Sequence, residues 1–205
     1  GSNRTSSGSS ASTCVAPTLG APLRTESELS TSRSSGSSPP LLQTLLRMNP
    51  YLQARWVTRF ASFTTAAHNR RPDVMIQAFM DSKVEGSFDL FLTGVDPQVR
   101  DEAREMAEGD PRVSVHDGIP YAELISTLND YDVGIHILPP VNYNNLWALP
   151  NKLYDFIQAR LGQIIGPNPE MARIVEGHSL GVVTEGYDAA DLTRVLDAIT
   201  VEDVR

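Results

Sequence analysis

Apolar and polar residues alternate along this chain in two rhythms, and the switches between them predict its elements. Val74, Met75, Ala78 and Phe79 fall at helical spacing and predict a helix over Pro72–Ser82. Phe88–Thr93 is a short apolar run closed by Gly94 and reads as a strand. The alternation continues with a helix over Pro97–Glu108 ended by Gly109, a strand Arg112–His116 and a helix Tyr121–Leu128. A strand Val133–Leu138 is then stopped by Pro139-Pro140. After it come a helix opened by Pro150, the strand Gln163–Ile165, the helix Pro169–Gly177, the strand Gly181–Thr184 and the helix Ala189–Ile199. Upstream, Leu41, Leu42, Leu45 and Leu46 predict a short helix before Asn49-Pro50. Arg55–Thr65, carrying Trp56, Val57, Phe60 and Phe63, reads as extended. Short strands rich in branched apolar residues, separated by helices of this length, predict a parallel sheet covered on both faces. Right-handed crossovers then give an α/β fold: a doubly wound, mainly parallel sheet with helices on both faces, Rossmann-like in character.

The helix opened by Pro150 carries the chemistry. Pro150 suits a first helical position, where its missing N–H has no partner to lose. Leu153, Phe156, Ile157 and Leu161 share one face, while Asn151, Lys152 and Asp155 share the other. Gly162 is expected to end the helix in a left-handed conformation. A helix N-terminus attracts anions through its free N–H groups and dipole, and Lys152 adds a full positive charge. The stretch reads as a phosphate seat with a carboxylate, Asp155, beside it. In a doubly wound sheet, ligands bind outside the carboxyl ends of the strands. The loops Gly94-Val95-Asp96, Asp117-Gly118-Ile119-Pro120, Pro139 to Ala148 and Gly166-Pro167-Asn168 leave those ends, and the third runs into the Lys152 turn. That loop holds Asn142, Tyr143, Asn144, Asn145 and Trp147, amides and aromatic faces suited to a sugar or base, or equally to an Asn-rich turn with Trp147 as anchor.

Composition narrows the partners. The chain has 205 residues, a net charge of −8 and a pI near 4.9, which argues against nucleic acid or an anionic membrane as a general partner. Residues 1–40 are dominated by Ser, Thr, Gly and Pro and are expected to be a low-complexity, disordered leader or tag, with the α/β domain at 41–205. The Gly-Ser start suggests a cleaved tag or an excised fragment. Cys14 is the single cysteine, so no internal disulfide and no cysteine metal cluster forms. Neither a membrane-spanning run nor a signal peptide is seen, and a cytoplasmic location is expected. Asp130-Tyr131-Asp132 spells a metal-binding triplet but lies at the start of a strand, the end away from the site, so no metal is expected there. His136 reads as a core histidine; His116 sits beside a site loop with its direction open. No P-loop, nucleophile elbow or dinucleotide glycine fingerprint is present.

Pro150-Asn151-Lys152-Leu153-Tyr154-Asp155-Phe156, then Gly162 and Pro169-Glu170-Met171-Ala172, resembles the nucleotide-sugar-binding C-terminal domain of group 1 glycosyltransferases with the GT-B fold. The resemblance covers about residues 86–200 and includes Leu92-Thr93-Gly94, Val113 to Gly118 and Tyr131-Asp132-Val133-Gly134. It implies that Lys152, with Arg70 and Arg71, holds the donor diphosphate and that Asp155 holds the ribose, with Asp in place of the commoner Glu. It also implies that Asp117, Gly118, Ile119 and Pro120 hold the base, largely through backbone. Two departures matter. Where the family carries a second Glu that contacts the donor sugar, this chain has Trp147, which leaves Asn144 and Asn145 for that contact. Where it carries a glycine-rich loop before a basic pair, this chain has His68-Asn69-Arg70-Arg71. The expected function is the donor half of a glycosyltransferase acting on a glycan or glycolipid acceptor. A nucleotide diphosphate sugar is its substrate, no cofactor or metal is implied, and the catalytic base is unassigned. The acceptor domain, with any peripheral membrane contact, is expected to be missing from this chain, leaving it inactive alone. The alternatives are a non-catalytic nucleotide-binding or interaction module of the same fold, or a sugar-nucleotide epimerase.

Overall fold

The structure is a computed structural model that describes residues 58–94 and 96–199. The leader at 1–40 and the helix over Leu41–Leu46 lie outside the described residues. Six strands form one all-parallel sheet: β1 (Thr58–Thr65), β2 (Gly86–Thr93), β3 (Val113–Asp117), β4 (Val133–His136), β5 (Gly162–Ile165) and β6 (Gly181–Val183), in spatial order β3-β2-β1-β4-β5-β6. The helices are α1 (Pro72–Asp81), α2 (Pro97–Ala107), α3 (Tyr121–Leu128), α4 (Tyr143–Leu146), α5 (Asn151–Gln158), α6 (Pro169–Gly177) and α7 (Ala189–Ala198), with a 3-10 turn at His68–Arg70. Among the described residues, no helix is long and apolar enough to cross a membrane.

Alternating strand residues separate the two faces of the core. Phe60, Phe88, Leu90, Leu92, Ile135 and Ile164 pack under α1, α2 and α7. Ala61 and Phe91 meet α3 and α5 on the opposite face, where Ile165 also packs with α6. β4 and β5 are buried along their whole length, as strands covered on both faces must be. The chain turns one way out of β1, towards β2, and the other way out of β4, towards β5. This is the reversal that opens a crevice at the carboxyl ends of β1 and β4.

Two expectations at α5 are corrected. Pro150 is the extended N-cap residue (φ −72, ψ 150) and Asn151 the first helical one, because Leu153 N–H bonds to the Pro150 carbonyl. The left-handed residue is Arg160 (φ 62), not Gly162. Arg160 N–H bonds to Ile157 O and Leu161 N–H to Phe156 O, the paired closure that lets a helix stop within one turn. Leu161 therefore lies past the helix, buried against Phe156, and Gly162 already belongs to β5, its N–H on the Asp132 carbonyl. Apart from α4 and the 3-10 turn, which the sequence pattern does not predict, the other element differences within the described residues are a residue or two at the ends, which fray by about that much.

Gly134 is where the sheet admits α5. A Cβ there would lie 2.6 Å from atoms of the fully buried Phe156 ring. Gly134→Ala is expected to lower unfolding free energy by about 1–3 kcal/mol through overpacking. Urea unfolding checks this, and Phe156→Leu in the same chain should recover part of the loss; an unchanged midpoint in the single variant would count against the contact. A second expectation concerns His136, at the end of β4, which is buried, with burial first and then Lys152 and Arg70 pushing its pKa down to about 3. Between that value and the ordinary 6.5, the unfolded chain binds more protons than the native one, so stability is greatest above 6.5 and falls as pH drops. The wild type should lose up to about 1.4 kcal/mol per pH unit more than His136→Leu across that window. Parallel profiles from urea titrations at several pH values would contradict this.

Candidate functional site

α5 begins at the rim of the crevice with no side chain capping it, so its first N–H groups stay open to a ligand. Its amphipathic face sets the rest: Leu153 and Phe156 go into the core, while Lys152 stays half-buried at the rim. The Lys152 ammonium sits 5.2 Å from the centre of the Phe63 ring and makes no ion pair among the described residues. Burial chiefly, and Arg70 next, lower its pKa below the ordinary lysine value, with Asp155 acting in the opposite sense. Asp155, one turn on, is only 6% exposed and accepts no hydrogen bond from the described residues. Burial raises its pKa, against the pull of Lys152. The turn thus holds a desolvated cation and a desolvated carboxylate, neither closely paired.

Both side chains line a cavity of about 380 Å³ with Phe63, Thr93, Ile119, Tyr121, Leu124 and Asn151. The turn after β3 reaches it because Gly118 passes tight against Thr93: any Cβ at 118 would come within 2.2 Å of the Thr93 methyl. Ile119 is thereby delivered to the cavity wall. Asp117 points its carboxylate to Arg104 (3.1 Å) and Arg100 (3.4 Å) on α2, and Pro120 becomes the N-cap of α3. Phe63, Thr93, Tyr121 and Leu124 are cavity residues that sequence reasoning missed. The alternation of β1 was the available signal for Phe63.

The structure separates the two arginines. Arg71 adopts a left-handed backbone (φ 46) and pairs with Asp73 at 3.0 Å, lining a different cleft of about 250 Å³ with His68, Val99, Glu102 and Met106. Arg70 is half-buried, acts electrostatically on both Lys152 and His136, and makes no ion pair among the described residues. Next to these cations lies the buried Nε2 of His136, which has no hydrogen-bond partner among the described residues. The neutral imidazole adds no third charge.

The Asn-rich loop forms a short helix, α4, capped by Asn142 Oδ1, which accepts the Asn145 N–H at 2.8 Å. Asn145 is buried: its amide donates to the Pro139 carbonyl, and its own carbonyl accepts from Asn168 Nδ2 at 2.9 Å. Asn168 also donates to Leu138 O at 3.0 Å, so one buried amide ties the start and middle of the loop together. Asn144 is exposed, and Trp147 is 44% exposed against Tyr143. At the far end of the sheet, Asp132 Oδ2 accepts the Arg59 N–H at 2.8 Å, holding β1 against the start of β4. Among the described residues no group of His, Cys, Asp or Glu is placed to hold a metal ion. His116 Nε2 meets Asp89 at 2.6 Å and its ring stacks on Phe91, away from the cavity.

No protein-family model matches the sequence, and no curated protein matches it. Solved structures do match the fold. A glycosyltransferase from Rickettsia africae superposes with a TM-score of 0.55 at 12% identity, covering 78% of this chain and 41% of that one. AviGT4, a glycosyltransferase involved in avilamycin A biosynthesis, gives 0.52 at 14% identity, covering 78% of this chain and 48% of that one. The chain thus spans less than half the length of each. The described residues form one Rossmann-like domain with strand order 3-2-1-4-5-6, the fold of one half of the GT-B glycosyltransferases.

Proposed function

We propose that this chain binds the nucleotide-sugar donor of a glycosyltransferase, seating a nucleoside diphosphate sugar in the crevice beside α5. One observation carries the reading. Lys152 and Arg70 are partly buried cations with no ion pair among the described residues, gathered beside an uncapped helix N-terminus. Uncompensated positive charge in a crevice is costly without an anion and favourable with one. The diphosphate lies against Lys152, Arg70 and the first N–H groups of α5, while Arg71, paired with Asp73, contributes at most from a distance. Asp155 accepts the ribose hydroxyls. The turn from Asp117 to Pro120 holds the base, with Ile119 and Tyr121 supplying apolar contact. Asn145, bonded to Pro139 O and to Asn168, shapes the loop at the rim beside this seat.

In this reading Lys152, Arg70 and the helix N-terminus stabilise the charge that grows on the leaving diphosphate as the glycosidic bond breaks. Asp155 is the one carboxylate lining the cavity among the described residues, and the ribose occupies it. In this reading the group that accepts the proton of a glycan or glycolipid hydroxyl lies outside the described residues that line the cavity. Trp147, where the family carries a donor-contacting Glu, and the glycine-free stretch His68-Asn69-Arg70-Arg71 favour a second reading, a nucleotide-binding module without transfer activity, and a sugar-transfer assay with the bound nucleotide's sugars separates the two.

Titration calorimetry with UDP, GDP and their sugars tests the donor seat. Lys152→Ala is expected to weaken the nucleotide that binds by about 10- to 100-fold, the loss of one charge-assisted contact. Equal affinity in the two proteins would sink the assignment. Asp155→Ala is expected to remove discrimination between that nucleotide and its 2′,3′-dideoxy form, which the wild type should bind about tenfold less tightly. If the wild type fails to discriminate, Asp155 does not hold the ribose.

A further inference from the structure

The surface that α4 presents belongs to no part of the donor cavity. None of residues 141–149 lines that cavity, yet Tyr143 is 76% exposed, Val141 58%, Trp147 44% and Leu149 41%. The Tyr143 and Trp147 rings stand 6.3 Å apart at 44°, forming an open angle of two aromatic faces. Exposed apolar residues grouped in this way mark an interaction surface. Its charge identifies the partner. Residues 133–151 contain no Asp, Glu, Lys or Arg, in a chain that is 20% charged. A surface that docks an anionic bilayer needs lysines or arginines among its apolar residues; residues 133–151 have none, and Lys152, which follows, is half-buried and lines the donor cavity. Exposed amides beside aromatic rings suit a partner that is neutral, carries hydroxyls and has apolar ring faces.

The platform is also rigid from beneath. Asn145 and Asn168 hold α4 by buried hydrogen bonds to Pro139 O, Leu138 O and Asn145 O, and Asn142 caps it. Tyr143, Asn144 and Trp147 are thus presented by a backbone that has little left to order on binding, which lowers the cost of association. The loop continues directly into Asn151 and Lys152, so whatever it binds lies at the mouth of the crevice.

We propose that α4 is a docking platform for a neutral glycan, with Tyr143 and Trp147 stacking on sugar rings and Asn144 bonding their hydroxyls. That this glycan is the acceptor rests on the donor reading above; that it binds does not. The test uses the full chain and hexasaccharides of the malto, cello, chito and manno series, with affinities read from NMR line broadening and shift changes. At least one series should bind. Tyr143→Ala and Trp147→Ala should each weaken that binding about tenfold, with Trp147→Phe keeping most of it and nucleotide affinity unchanged in all three. Failure of every series to bind while UDP or GDP binds would overturn the platform and leave the donor seat standing. Glycan binding without any nucleotide binding would do the reverse. Equal glycan affinity in Trp147→Ala, or Trp147-dependent co-sedimentation with phosphatidylcholine–phosphatidylglycerol vesicles in place of glycan binding, would also overturn it.

Discussion

Phe156 occupies the space that a side chain at position 134 would fill, and through that contact the sheet dictates where α5 lies. The ring rests on the second residue of β4 and meets Phe63 of β1 edge-on, with centroids 5.5 Å apart. Phe63 in turn presents its face to Lys152, one turn before Phe156 on the same helix. Three links, from a bare backbone to one ring, then a second ring, then an ammonium, place a charge at the sheet's reversal point. Nothing in that chain is adaptable in the way a surface lysine is, because its first two members are core residues. The position of Lys152 is thus a property of the packing, and its charge is carried by that packing.

The electrostatics follow from that placement. Burial works against the charged forms of both Lys152 and Asp155, and Arg70 adds to the pressure on Lys152. His136 yields to the same pressure by staying neutral. A structure selected for stability alone would pair these groups closely or leave them in water. Here they stand apart at the edge of a cavity, the arrangement by which binding sites commonly depart from the rules that govern the remaining surface.

Most of the fold was legible because its strands and helices are long enough to show their period. The helix over Tyr121–Leu128 and the helix over Pro169–Gly177 came out with the same limits in sequence and structure. What escaped were features shorter than a period or decided by neighbours. α4 spans a single turn, so no apolar rhythm could reveal it. Gly162 carried the residue type of a helix terminator, but the strand claimed it, and Arg160 took the left-handed position because two backbone bonds and the burial of Leu161 follow from that choice. Lys152, Asp155 and Ile119 converged on one cavity as their places in the sequence suggested. Arg70 and Arg71 did not stay together: a left-handed residue swings consecutive side chains to different sides, and adjacency in sequence carries no warning of it. Asn144 and Asn145 divided in the same way, one exposed and one tied into the loop.

The absence of charge between Asp132 and Lys152 has a consequence for how the rim meets its surroundings. A seat built from ammonium, guanidinium and helix N–H groups weakens as ions accumulate around it, since at about 0.15 M salt the field of an exposed charge decays over about 8 Å. A surface of rings and amides has no such field to lose. On the proposed reading, two neighbouring parts of the rim answer differently to ionic strength, and the order in which a nucleotide and a glycan assemble there becomes a matter of the medium as well as of the protein.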